Sequence, residues 1–96
     1  MDKAFILDSE TTSNKHPHPI EVAYVEFGPR GQLLNTPTVL RFKPPVPVEF
    51  GAMAVHHILP EELEDCPPYD PLLLPMMDYV IGHNVDFDAD CCQVPG

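Results

Sequence analysis

Thirteen prolines among 96 residues leave little room for long regular elements. Each removes an amide donor and fixes φ at roughly −65°. Five glycines add to the effect, so the sequence calls for short strands and helices joined by many turns. At 44% hydrophobic residues the chain can still fill the modest core of one small domain, which argues against wholesale disorder. No segment approaches the roughly 20 apolar residues of a membrane span. The apolar run after Met1-Asp2-Lys3 is also too brief for a signal peptide. No membrane association and a cytoplasmic location are therefore expected.

Between the prolines, apolar periodicity sets the elements. Ala4 to Leu7 reads as a buried strand, apolar on both faces. Ile20 to Phe27 alternates, with Ile20, Val22 and Tyr24 on one face, and is a half-buried strand. Gly28-Pro29-Arg30-Gly31 is a hairpin-like turn. Leu33 to Phe42 follows as a third strand, whose first half Pro37 demotes to an edge or bulge. These three make an antiparallel meander. Pro44-Pro45-Val46-Pro47 breaks the sheet, and Gly51 to His57 forms one or two helical turns. Pro60-Glu61-Glu62-Leu63 starts another helix, with Pro in the first turn. Tyr79-Val80-Ile81 is a fourth strand, and Val85 to Cys92 opens a helix that Asn84 caps.

The chemistry of the chain concentrates where the first strand runs into Asp8-Ser9-Glu10. Side chains two apart on a strand share a face, so Asp8 and Glu10 project together. Two neighbouring anions repel unless a cation holds both ionised. An oxygen-only pair of this kind suits Mg²⁺ or Mn²⁺, although an exposed acidic turn fits this stretch alone equally well. If the fourth strand lies beside the first, Asp88 joins them. Three carboxylates then meet at one sheet edge, tolerable mainly around two divalent metals. Cys66, Cys91 and Cys92 form no paired framework and read as reduced thiols. A zinc site from Cys91, Cys92 and a histidine is conceivable, but adjacent cysteines lack the usual ligand spacing.

Asp8-Ser9-Glu10-Thr11-Thr12 resembles the first motif of the DEDD superfamily of 3′-5′ exonucleases (DnaQ-like, exodeoxyribonuclease X-like), and His83-Asn84-Val85-Asp86-Phe87-Asp88 resembles their second, His-Asn-x-x-Phe-Asp. Ala52-Met53-Ala54-Val55-His56-His57-Ile58 is similar to the loop between them, and all three stand in the family's order. A four-position match arises by chance about once in 10⁵ windows. The resemblance implies an α/β, ribonuclease H-like fold: a three-stranded antiparallel meander plus a parallel fourth strand. It further implies a two-metal Mg²⁺ or Mn²⁺ site held by Asp8, Glu10 and Asp88, with Asp8 bridging the ions. The partner is a nucleic-acid 3′ end, with Thr11 on the terminal nucleotide and Met53, Val55 and His56 against its bases. The family's third motif, a His or Tyr followed by a fourth Asp, does not occur after Asp88 in this sequence. The expectation is thus one incomplete exonuclease domain over residues 1–96, its C-terminal part missing. Loss of a general base alone costs about 10²–10⁴-fold in rate. Three states follow from this: an exonuclease, an inactive remnant or interaction module, or one half of a split enzyme. Uncovered apolar surface would favour self-association. The formal net charge of −10 also predicts weak, salt-sensitive phosphate binding.

Overall fold

The computed structural model describes residues 2–94. Its elements in chain order are β1 (Ala4–Thr11), β2 (Pro19–Phe27), β3 (Thr38–Arg41), α1 (Phe50–His56), β4 (Tyr79–Ile81) and α2 (Val85–Cys91), with 3₁₀ turns at Pro60–Leu63 and Pro71–Leu73. The four strands form one sheet in the order β3-β2-β1-β4. β1 pairs antiparallel with β2 and parallel with β4, and β2 pairs antiparallel with β3. The meander and the parallel fourth strand expected from the sequence are both present.

β1 differs from expectation. It does not stop at Leu7 but continues through both acids to Thr11, and it is not buried on both faces. Phe5 and Leu7 are buried, whereas Ile6, between them, is 36% exposed. The reason lies in its neighbours: β2 and β4 flank β1 edge to edge, but α2 covers one face only. Phe5 and Leu7 join Val22, Phe42, Met77, Cys91 and Cys92 in the larger core, with Phe87 packed against it. On the opposite face Ile6, Val39, Tyr79 and Ile81 remain open to solvent. β3 is also shorter than expected. Pro37 and its exposed flanks keep Leu33 to a single bridge with Phe27, and regular pairing begins at Thr38.

The connection from β3 to β4 builds a second, smaller core from Ile20, Val48, Ile58 and Leu63, against which Ala52 and Met53 pack. It also carries Tyr69, whose ring meets Phe42 edge-on at 4.9 Å and whose hydroxyl donates to the Cys92 carbonyl. Burial pushes the Tyr69 pKa up, so this hydroxyl keeps its proton and remains a donor. The three cysteines are free thiols, Cys91 and Cys92 buried and Cys66 half-buried. Among the described residues no helix is long and apolar enough to cross a membrane.

β4 ends where the chain must turn into α2, and Gly82 makes the turn. A Cβ at this position would lie 2.6 Å from the Leu7 carbonyl oxygen, inside van der Waals contact with a backbone atom that the β1 ladders hold in place. Gly82→Ala should therefore push β4 and α2 away from β1. The expected loss is roughly 1–3 kcal/mol of unfolding free energy, measurable by urea denaturation.

Candidate active site

The parallel pairing of β1 with β4 brings the two acidic segments together. β4 matches Ala4 to Ile6 only, so the β1 strand beyond Leu7 has no neighbour on that side and its edge opens a cleft. This cleft, of ≈ 500 Å³, is lined by Asp8, Glu10, Thr11, Lys15, Val55, His56, His83, Asn84, Phe87 and Asp88, among others. Asp8 and Glu10 reach it from β1, and Asp88 comes from the first turn of α2. Val55 and His56 overhang it from α1.

The charges register their proximity. The Glu10 carboxyl is pushed above its ordinary value, first by burial and then by Asp8, Glu21 and Asp88. Asp88, 4% exposed, is likewise raised by burial and by Asp8, against the opposing pull of a hydrogen bond from Ser9. Glu10 also faces Glu21 directly across the β1–β2 ladder. That like-charge pairing is moderated by Arg41, the partner of Glu21 on β3, whose Nε lies 3.0 Å from the Glu21 carboxylate and whose Nη1 lies 3.4 Å from Glu62. Even so, no three His, Cys, Asp or Glu side chains among the described residues stand close enough together to enclose a metal ion. The three acids share one cleft, but Asp88 Oδ1 is turned to the Ser9 hydroxyl, 2.5 Å away.

The remaining expected site residues divide. Val55 is 77% exposed at the mouth of the cleft. Thr11 lines it, but its hydroxyl donates to the Ser13 carbonyl at 3.0 Å and its own carbonyl faces His56 Nε2 at 3.2 Å. Met53 is not on the lining. It sits on the other side of α1, against the smaller core and a groove shared with Val46 and Phe50. A seven-residue helix cannot present Met53 and Val55 to one surface, since two positions apart they point in different directions. Asn84 occupies the N-cap position of α2, yet its side chain makes no capping hydrogen bond.

His56 is tied into the fold through both ring nitrogens. The Ile58 amide donates to Nδ1 at 3.0 Å, which leaves Nε2 to carry the proton and donate to the Thr11 carbonyl. His57 adopts a left-handed conformation, φ 59°, and closes α1 by donating to the Met53 carbonyl, so the chain turns back sharply enough for the Ile58 amide to reach the ring. The imidazole thus clamps the end of β1 to the exit of α1.

Two residues of the first motif to which the sequence reading gives no role matter here. Thr12, 1% exposed, exchanges bonds with the His18 backbone through its amide and hydroxyl and accepts the Glu49 amide on its carbonyl. It thereby joins β1, the start of β2 and the entry to α1. Ser9 is the other. Period-two alternation places it on the face opposite Asp8 and Glu10, and a polar residue on the covered face of a strand needs a partner.

No protein-family profile matches the sequence, and no curated protein matches it. Solved structures do. Exonuclease X in complex with 5′ overhanging duplex DNA shares 27% identity at a TM-score of 0.76, over 90% of this chain and 51% of that one. E. coli exonuclease I in complex with a dA16 oligonucleotide superposes with a TM-score of 0.78 at 19% identity, over 97% of this chain and 23% of that one. The zinc ion bound form of the E. coli exonuclease I–ssDNA complex matches equally, at 19% identity and 0.78. The chain is built like the N-terminal part of a DEDD-type 3′-5′ exonuclease. Its mixed sheet is that of the ribonuclease H-like exonuclease fold. It spans about half the length of exonuclease X and under a quarter of exonuclease I.

The His56 clamp has a pH signature. Burial holds its pKa below the ordinary 6.5, so the fold prefers the neutral ring. The stabilisation is complete above the ordinary value and is lost as pH falls through the depressed one. His56→Leu strips partners from the Thr11 carbonyl and the Ile58 amide and should cost roughly 1–3 kcal/mol at neutral pH. Denaturant titrations at about pH 8 and about pH 5 should show the gap between parent and variant narrowing at the acidic end.

Proposed function

We propose that this chain carries three of the four carboxylates of a divalent-metal-dependent 3′-5′ exonuclease, acting on the 3′ end of a DNA strand and releasing nucleoside monophosphates. The observation that carries this reading is the cleft itself, where Asp8 and Glu10 from β1 and Asp88 from α2 line one opening at the edge of a ribonuclease H-like sheet. The neighbours support it in kind, being exonucleases solved with DNA.

The donor set fits a hard divalent cation. It is made of carboxylate oxygens alone, and a cation among them would offset the burial and mutual repulsion that raise Glu10 and Asp88. Asp8 and Glu10 would hold Mg²⁺ or Mn²⁺, and the Asp88 oxygen not bonded to Ser9 would join them once the three draw together around the ion, since as they stand they do not enclose one. When bound, such an ion supplies Lewis acidity toward the phosphodiester and the water that attacks it. The protein's own residues do the rest of what this segment offers. Val55 presents an exposed apolar side chain beside the cleft, suited to wedging against a terminal base. Lys15, on the cleft wall, is the basic group placed to meet a phosphate. Thr11 and His56 act through the backbone clamp, fixing the floor on which a terminal nucleotide would rest.

A second reading is an exonuclease-like module whose site is completed by further polypeptide, in the same chain or another. The open apolar sheet face of Ile6, Val39, Tyr79 and Ile81 favours it, because exposed contiguous apolar surface ordinarily marks an interface.

Incubation with 3′-labelled single-stranded DNA and Mn²⁺ distinguishes the two. The first reading expects slow, EDTA-sensitive release of mononucleotides that Asp8→Ala reduces by at least about 10²-fold. Release unaffected by that substitution would sink it. The cation is checked separately by thermal unfolding. At a hundredfold excess over its dissociation constant Mn²⁺ should add about 2.7 kcal/mol at neutral pH. That gain should shrink as acidification protonates Glu10 and Asp88, whose raised values bring this about at higher pH than for ordinary carboxylates.

A further inference from the structure

Asp88 reaches the cleft from the side of the sheet that α2 covers, whereas Asp8 and Glu10 project from the other side of β1. Something must hold the Asp88 carboxyl at the strand edge rather than elsewhere in its buried surroundings. The Ser9 hydroxyl does so. It donates to Asp88 Oδ1 at 2.5 Å and lies 3.4 Å from Cys91 Sγ, one helical turn further along α2. Cys91 in turn is hydrogen-bonded to the Asp88 carbonyl and the Ser9 backbone also approaches the Asp88 carboxyl, so helix and strand meet at a small polar cluster within an apolar core.

We propose that Ser9 is the positioning residue for the acidic cleft, orienting the Asp88 carboxylate so that its remaining oxygen serves the cation held by Asp8 and Glu10. This rests on the cation reading given above. A carboxylate has two oxygens and several lone pairs. Occupying Oδ1 with a fixed donor restricts the orientation of the other oxygen and leaves it available. Outer partners of this kind typically account for 10–100-fold in metal affinity. Ser9 suits the task because its side chain is short. A longer donor would push α2 off β1, and an apolar residue would leave a buried carboxylate without the hydroxyl that fixes Oδ1.

The test is Mn²⁺ binding by the whole chain, measured by calorimetry or by the loss of the free-ion electron paramagnetic resonance signal. The metal-free unfolding midpoint is recorded alongside. Ser9→Ala should weaken Mn²⁺ about 10–100-fold, and Ser9→Thr, which keeps the hydroxyl, should restore it. In an Asp88→Asn background, Ser9→Ala should weaken Mn²⁺ no further, since the carboxylate that the Ser9 hydroxyl orients toward the cation is already gone. If Ser9→Ala lowers the unfolding midpoint yet leaves Mn²⁺ affinity unchanged, Ser9 merely fastens α2 and the proposal is overturned. It is overturned equally if Ser9→Thr binds as weakly as Ser9→Ala, or if the effects in the Asp88→Asn background add. A parent that binds no Mn²⁺ sensitive to Asp8→Ala overturns the cation reading itself, and the positioning role with it. That failure is recognised in the parent and Asp8→Ala alone, before any Ser9 variant is compared.

Discussion

The parallel pairing of β4 with β1 spans only Ala4 to Ile6 against Tyr79 to Ile81, and the candidate site depends on it. Those three matched positions bring residues more than seventy apart in the chain side by side. Asp78 extends the contact, its carboxylate accepting the Lys3 amide at 2.7 Å. Gly82 lets the backbone pass against the Leu7 carbonyl. Because β4 stops there while β1 runs on, the next residues of β1 have a free edge, and the chain leaving β4 supplies α2 at that point. The cleft is thus a product of unequal strand lengths. Ligands in open α/β sheets commonly bind in such places, outside the carboxyl ends of parallel strands.

Collecting carboxylates at a strand edge is unfavourable in itself. Burial raises Glu10 first, and Asp8, Glu21 and Asp88 add to it, in a chain that already carries a formal charge of −10. The fold moderates this locally rather than globally. Arg41 neutralises Glu21 on the neighbouring strand, and Ser9 offers Asp88 a hydrogen bond that favours its charged form. The Arg41 pairs are partly exposed and of small worth as stabilising contacts. Their effect is to make tolerable an antiparallel register that sets two glutamates face to face.

Much of this is legible in the sequence. The alternation from Ile20 onward, the proline at position 37 and the short apolar run at 79–81 mark the strands, and the i, i+2 rule puts Asp8 and Glu10 on one face. The cleft shared with Asp88 follows once the fourth strand is set beside the first. What escapes are features that depend on which face is covered. Four consecutive apolar residues in Ala4 to Leu7 carry no period, so nothing in them tells Ile6 from Leu7, and only the position of α2 on one side of the sheet does. Met53 and Val55 fall together in a short motif because such a motif does not reveal where a helix axis lies. Residue type alone makes Asn84 a capping side chain, which the backbone there does not use. Ser9 stands in the middle of the most conspicuous motif and reads as a spacer. Its role needs the third dimension, because its partner lies 79 positions away.

The buried cysteines at the C-terminal end of α2 tie the seating of the helix to thiol chemistry. Cys66 is half-buried on the connection to β4, whereas Cys91 and Cys92 lie in the core under the Tyr69 hydroxyl. An alkylating reagent therefore meets Cys66 and the rim of Cys91 in one surface cavity, and reaches Cys92 only when the helix lifts from the sheet. That lifting also carries the Asp88 carboxylate away from β1. Labelling of Cys92 consequently reports how often the helix end opens, read from mass alone and without any substrate.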